Sequence, residues 1–222
     1  MNYPGGKAKT FQHIINHIPP HNTYIEPFLG LGSVMKAKMR AKTEYGVDLD
    51  NRALKLSGLS QLGIQLLNDD GISFLEKYPF QGQEVVYCDP PYLPCTRKQK
   101  RVYKYDLNEK DHIRFLNVVI KLKTRIIISG YDNNLYQEYL QGWNKYHYSA
   151  KAHDGSREEC IWYNFHKPKK LHDYRYLGTN FRERQTIRRR LDRMKNRIEE
   201  MTAQERSFLL NWLQVRENSN AD

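Results

Sequence analysis

The chain has few cysteines, no long apolar run and no internal repeat. Each absence excludes something. Cys88, Cys95 and Cys160 are the three cysteines of 222 residues, too few and too scattered for a disulfide framework or a zinc site, and they fit a reducing cytosol. No apolar stretch approaches the length of a membrane span, and Met1 to Lys7 does not read as a signal peptide. No low-complexity tract occurs, and no His/Cys/Asp/Glu spacing typical of metal ligands. What is present is an ordinary globular composition, 39% apolar and 27% charged, with a net charge of +11. Such a charge implies a polyanionic partner, most simply a nucleic acid.

That charge is unevenly placed. Residues 166–222 hold net +6 of the +11, and Arg182 to Arg197 alone carry eight basic and two acidic residues. Composition shifts at His166-Lys167-Pro168-Lys169-Lys170, which sets expected domains of 1–165 and 166–222.

Up to residue 165 the pattern alternates short strands with helices. Strands are expected at 23–26, 44–47, 64–68, 84–88 and 125–129, and helices at 33–41, 51–62, 72–77, 108–121 and 134–140. Two further strands, 145–150 and 159–165, have no helix between them. The expected fold is therefore α/β, a doubly wound and mostly parallel sheet with an antiparallel edge pair. Ligands of such sheets bind beyond the carboxyl ends of the strands. In the tail, Ile187, Leu191, Met194, Ile198 and Met201 repeat at 4-3-4-3 spacing, and Thr202-Ala-Gln-Glu205 is a capping box. A basic helical hairpin is expected, with Phe208, Leu209, Trp212 and Leu213 on a buried face, either packed on the core or used for dimerisation.

The chemistry-bearing residues fall at strand ends. Glu26 closes the first strand and can bind a cationic or hydroxyl-rich ligand. Phe28-Leu29-Gly30-Leu31-Gly32 follows, a glycine loop that lets backbone approach a ligand at a helix start. Asp48 ends the second strand, where a carboxylate suits ribose hydroxyls. No third glycine sits where a pyrophosphate cradle needs one, so a nucleoside without phosphates fits better than a dinucleotide. Asp70 can accept from an adenine amino group, although a helix N-cap is the commoner use of such a residue. Asp89-Pro90-Pro91-Tyr92 is the sharpest signal. The prolines stop the strand and remove two amide donors, so the Asp89 carboxylate and the Pro90 carbonyl form a two-acceptor clamp for a planar amino group, with Tyr92 for stacking. In isolation the tetrapeptide would pass for a rigid turn.

Tyr3-Pro4-Gly5-Gly6-Lys7, Glu26-Pro27-Phe28-Leu29-Gly30-Leu31-Gly32 and Asp89-Pro90-Pro91-Tyr92 together resemble the Dam-type family of S-adenosylmethionine-dependent DNA adenine methyltransferases. The resemblance covers about residues 3–165. It implies a class I methyltransferase fold of the Rossmann-like type, with the tetrapeptide catalytic and adenine flipped from the duplex. It also implies that Tyr3, Gly5, Gly6, Lys7, Glu26, Phe28, Gly30, Gly32, Asp48, Asp70 and Asp89 line the site of S-adenosylmethionine, which leaves as S-adenosylhomocysteine, with no metal. Arg157 to Trp162 is similar to the family's late strand near the target base, and His153-Asp154-Gly155-Ser156 is a candidate frame for that base. A prokaryotic or phage-infected cytoplasm is implied too, with or without a restriction partner.

One departure stands out. Dam proteins that recognise GATC carry a recognition domain between the third-strand aspartate and the tetrapeptide, whereas here Asp70 and Asp89 are 19 positions apart. DNA contact then falls to Arg97, Lys98, Lys100 and Arg101 at the rim and to Arg188, Arg189, Arg190 and Arg193 in the tail. The arginine run reads equally well as a solvated helix face. An RNA adenine methyltransferase with the same clamp is the alternative, and a catalytically silent nucleic-acid-binding protein is a further one. A glutamine methyltransferase usually begins its clamp with Asn.

Overall fold

The computed structural model describes residues 6–96, 104–152 and 155–219. The chain divides into two compact units, 1–175 and 176–222. The first extends past the compositional break at His166. His172 N donates to the Ile18 carbonyl at 3.0 Å, and Asp173 accepts from Met39 N at 2.9 Å, so this basic stretch belongs with the sheet.

The first unit is a seven-stranded sheet in the order β3-β2-β1-β4-β5-β7-β6. Its strands are β1 (Thr23–Glu26), β2 (Thr43–Val47), β3 (Gln65–Leu67), β4 (Val85–Cys88), β5 (Arg125–Gly130), β6 (Asn144–Ala152) and β7 (Gly155–Tyr163). The first five are parallel. The last two form an antiparallel pair joined to β5 through β7. This is the doubly wound sheet with an antiparallel edge pair that the alternation of elements implies. The winding reverses between β1 and β4, which places a crevice over their carboxyl ends.

Helices α1 (Phe11–Ile15), α2 (Ser33–Ala37), α3 (Asn51–Ser57), α4 (Gly71–Lys77), α5 (Glu109–Val119) and α6 (Asn134–Tyr139) complete the unit. Gly58, at φ +67°, ends α3, so the helix expected over 51–62 breaks there and continues as a 3₁₀ turn, Leu59–Leu62. The short α1 carries no signal that sequence reading found. Helix α5 starts at a capping box in which Asn108 and Asp111 exchange backbone bonds. It buries His112, Phe115, Leu116 and Val119, whereas Ile120 at its C-cap is exposed. Phe115 and Leu116 join Ile25, Val86, Cys88, Ile126, Ile128 and Trp162 in the main core. All four residues of β4 are buried. Each such aliphatic contributes about 1.5–3 kcal/mol by leaving water, enough to hold the strand ends in register beneath the crevice.

The second unit contains α7 (Phe181–Glu200) and α8 (Ala203–Ser219). Asn180 caps α7 through Glu183 N, and Thr202 and Glu205 form the expected capping box before α8. Within the single chain the apolar face expected on α8 is uncovered. Helix α7 has no buried residue. Met194, Phe208, Trp212 and Leu213 are exposed, Phe208 at 72%. A 4-3 spacing marks which residues share a face, but burial needs a neighbour to cover that face.

Candidate active site

Strand β1 ends in Glu26, and the backbone turns at once through Pro27 and Phe28 into the glycine loop. Gly30 and Gly32 take φ of +52° and +65°, a region that L side chains rarely adopt. A Cβ on Gly32 would lie 2.4 Å from Leu59 Cδ1, so that side chain would have to shift to admit one. Asp48 holds this loop. Its Oδ2 accepts from Gly30 N at 2.7 Å and its Oδ1 from Asp50 N at 2.8 Å. Burial pushes the Asp48 carboxyl up, against those two amide bonds. Asp48 therefore joins two strand-end loops, with lone pairs left over.

Asp70 caps α4 through Ile72 N and Ser73 N. Burial opposes its ionisation, but the Ser73 hydroxyl, the two amides and Arg114 prevail and hold its carboxyl below the usual range. The next residue, Gly71, sits against the Pro27 carbonyl. A Cβ there would lie 1.9 Å from Pro27 O. This close approach joins α4 to the turn after β1.

These pieces wall one cleft of about 910 Å³ of empty space, open solvent included. Gly6, Lys7, Glu26, Phe28, Gly30, Gly32, Asp48, Asp70, Asp89 and Pro91 all line it. Sequence reading missed Asp50, Lys104, Tyr105 and Leu107 in the same lining. Lys104 Nζ lies 3.6 Å from Asp50 Oδ1. Glu26 is only 3% exposed and accepts from Tyr24 OH at 2.9 Å. Burial pushes its carboxyl up to about 8, against the pull of Tyr24 and Lys38.

Asp89 follows β4 and meets Lys7, whose Nζ lies 2.8 Å from Oδ1. The same ammonium donates to Tyr92 OH at 2.5 Å and stands 3.7 Å from Glu159 Oε2. Glu159 also accepts from Tyr148 OH at 2.7 Å and from Tyr92 OH at 3.2 Å. Burial works against charge on Lys7, but Asp89 and Glu159 outweigh it and keep the ammonium protonated. Burial pushes the Asp89 carboxyl up, while Lys7 and Ser129 pull it back. Pro90 is buried beside it. Tyr92, with Ser129, Tyr131, Asn133 and Tyr136, lines a second, smaller pocket. The Tyr92 and Tyr131 rings meet edge-on at 4.7 Å, and Arg157 donates to Tyr131 OH at 3.2 Å.

Glu159 lies in the Arg157 to Trp162 segment already singled out, whereas Tyr148 and Ser129 carry little signal in the sequence. Tyr3, Gly5, Arg97, Lys98, Lys100, Arg101, His153 and Asp154 lie outside the described residues, as does the side chain of Ser156. Arg188, Arg189, Arg190 and Arg193 lie on α7 in the second unit, exposed. Among the described residues no group of three or more His, Cys, Asp or Glu could hold a metal ion. No described helix is long and apolar enough to cross a membrane.

The family model for D12 class N6 adenine-specific DNA methyltransferases matches residues 3–60 and 60–154. No curated protein sequence matches the chain. Among solved structures, SMU.1697c from Streptococcus mutans, a methyltransferase by its description and solved with S-adenosylhomocysteine, is similar at 16% identity. The match covers 68% of this chain and 93% of that one at a TM-score of 0.47. An rRNA methylase from Streptococcus thermophilus is similar at 18% identity, over 73% of this chain and 97% of that one, with a TM-score of 0.47. Those two likenesses concern the course of the backbone and say nothing about substrate. The family match spans the glycine loop, Asp48, Asp70 and the Asp89 tetrapeptide together, and on it the chain belongs to the D12 class N6 adenine-specific DNA methyltransferase family.

Proposed function

We propose that this protein transfers a methyl group from S-adenosylmethionine to the exocyclic amino group of an adenine flipped out of DNA. The observation that carries this reading is Asp89-Pro90-Pro91-Tyr92 at the end of β4, with Asp89 and Pro91 lining the cleft and Tyr92 the pocket beside it.

The cleft suits the cofactor. Carboxylates Asp48, Asp50 and Asp70, the buried Glu26 and the apolar Phe28, Leu29 and Leu107 all line it. That mixture fits a ligand with a cationic amino acid end, ribose hydroxyls and a purine. Asp48 and Asp50 would take the ribose, Glu26 the cationic end, and the glycine loop would allow close backbone approach. When bound, the cofactor supplies a methyl group on a sulfonium, which needs placement rather than activation.

The chain's own residues do the rest. Flipping costs a few kcal/mol of unstacking, and stacking on Tyr92 returns about 1–3 kcal/mol. An adenine amino lone pair is delocalised into its ring. Asp89 and the Pro90 carbonyl accept its two N–H bonds and draw the nitrogen toward tetrahedral geometry. Asp89 also stabilises the positive charge that develops on that nitrogen. Arg188, Arg189, Arg190 and Arg193 contact phosphates, and so do the basic residues 97–101.

The test is sequencing with adenine-methylation readout of plasmid from cells that lack native adenine methylation and express this protein. Methyl-adenine with the wild type and none with Asp89→Ala supports the reading. Loss of signal from both, with folded protein that binds the cofactor, overturns DNA as substrate. Competition between duplex DNA and RNA at equal concentration then tests the RNA alternative.

A further inference from the structure

Asp89 stands just past β4, where the sheet no longer fixes its side chain, and a two-acceptor clamp works only if one particular carboxylate oxygen faces the substrate. Strand β5 runs beside β4 in parallel, with Cys88 opposite Ile128, so Ser129 lies beside Asp89. The Ser129 hydroxyl donates to Asp89 Oδ1 at 2.7 Å. A serine hydroxyl has one hydrogen to give. The contact between Ser129 Oγ and Tyr87 OH, 2.9 Å long, is therefore one in which Tyr87 donates. Tyr87 and Ser129 are 2% and 1% exposed, so water does not compete for these bonds. Burial also pushes the Tyr87 phenol far up, with Asp89 adding to it, so it remains a donor at any working pH. Lys7 Nζ approaches the same oxygen, Oδ1, at 2.8 Å, but an ammonium is a point charge shared here with Tyr92 and Glu159 and sets no direction.

We infer that Ser129, aimed by Tyr87, is a positioning residue that anchors Asp89 by Oδ1 and turns Oδ2 toward the target amino group. The inference rests on the adenine-clamp reading above for what Oδ2 meets, but not for the anchoring itself. Tyr87 donates into one of the two serine lone pairs, and the single serine hydrogen is left for Asp89. The two strands supply the alignment, and no loop has to order for it.

The test uses the full chain with Ser129→Ala, Tyr87→Phe and the double variant. In Ser129→Ala, kcat falls about tenfold or more, the scale of one hydrogen bond to a charged group, while KM for DNA and cofactor affinity change less than threefold. The acid limb of the rate profile moves to higher pH, because the ionised Asp89 has lost a donor. Tyr87→Phe moves both readouts the same way by less, and the double variant is no worse than Ser129→Ala. An unchanged kcat and acid limb in Ser129→Ala overturns the proposal, and so does a lower melting temperature with an unshifted limb. Independent multiplication of the two single effects overturns the role given to Tyr87. A second arm needs no substrate. In protein with ¹³C-labelled aspartate, the Asp89 carboxyl, assigned by its loss in Asp89→Asn, titrates at higher pH in Ser129→Ala than in the wild type. Equal midpoints overturn the anchoring even where the chain methylates no DNA. A shifted midpoint in a chain that methylates no DNA leaves the anchoring standing and rejects only the adenine reading.

Discussion

Lys7 Nζ and Tyr92 OH, 85 positions apart, are joined by a 2.5 Å hydrogen bond, and the same ammonium stands between Asp89 and Glu159. One buried cation thus holds together an N-terminal residue, the clamp after β4 and the strand β7.

Removing that cation leaves two largely buried carboxylates without their partner. Lys7→Met is expected to destabilise the fold by about 3–5 kcal/mol near pH 7 and to lower methyl transfer at least tenfold. Part of the stability returns as pH falls and Asp89, whose carboxyl burial already pushes up, takes up a proton. Denaturant titration at pH 5 and pH 7 checks both signs. Equal losses at the two pH values would reject the ion-pair account.

Glu26 makes a pH prediction of its own. Its carboxyl is pushed up to about 8 by burial, against an ordinary value near 4.5 in the unfolded chain. The folded form therefore holds a proton that the unfolded form releases. Its contribution to stability is full below pH 4.5 and is lost as pH rises through 8. Glu26→Gln should flatten that decline in thermal unfolding of the ligand-free protein. A cationic ligand favours the carboxylate and must expel the proton, so cofactor affinity should rise with pH between 6 and 7.5, by up to about tenfold per unit. Calorimetric titration of wild type and Glu26→Gln reads the slope, which the variant should lack.

Two glycines separate steric need from conformational need. Gly71→Ala drives a Cβ into the Pro27 carbonyl and should cost about 3 kcal/mol or more. Gly58→Ala meets open space but keeps φ at +67°, at a cost of about 1 kcal/mol. Chemical denaturation of both variants measures the contrast.

The arginines of α7 are exposed, so replacing Arg188, Arg189, Arg190 and Arg193 with Ala should leave the melting temperature of the sheet unit unchanged. DNA affinity should fall, and the slope of log affinity against log salt should drop by up to about 0.9 per lost phosphate contact. Fluorescence anisotropy over a salt series reads this. An unchanged slope would assign α7 to a solvated face.

Alternation of apolar strands and amphipathic helices determined the doubly wound sheet, because parallel strands need crossovers and buried strands need apolar runs on both faces. Gly30, Gly32, Asp48, Asp70 and Asp89 were legible for the same reason. Strand ends in such a sheet converge on one crevice, so polar residues there belong to one site. The sequence also marked the Thr202 capping box, whose bonds are local. What only tertiary structure decided lies across strands. Ser129 reaches Asp89 through the pairing of β4 with β5, and Glu159 reaches Lys7 and Tyr92 from β7. Local patterning cannot report on such pairs, since their proximity comes from register and not from spacing. The tail shows the converse. Its 4-3 seam is plain in the sequence, yet Met194, Phe208 and Trp212 are exposed, because a face is buried only where something else comes to cover it.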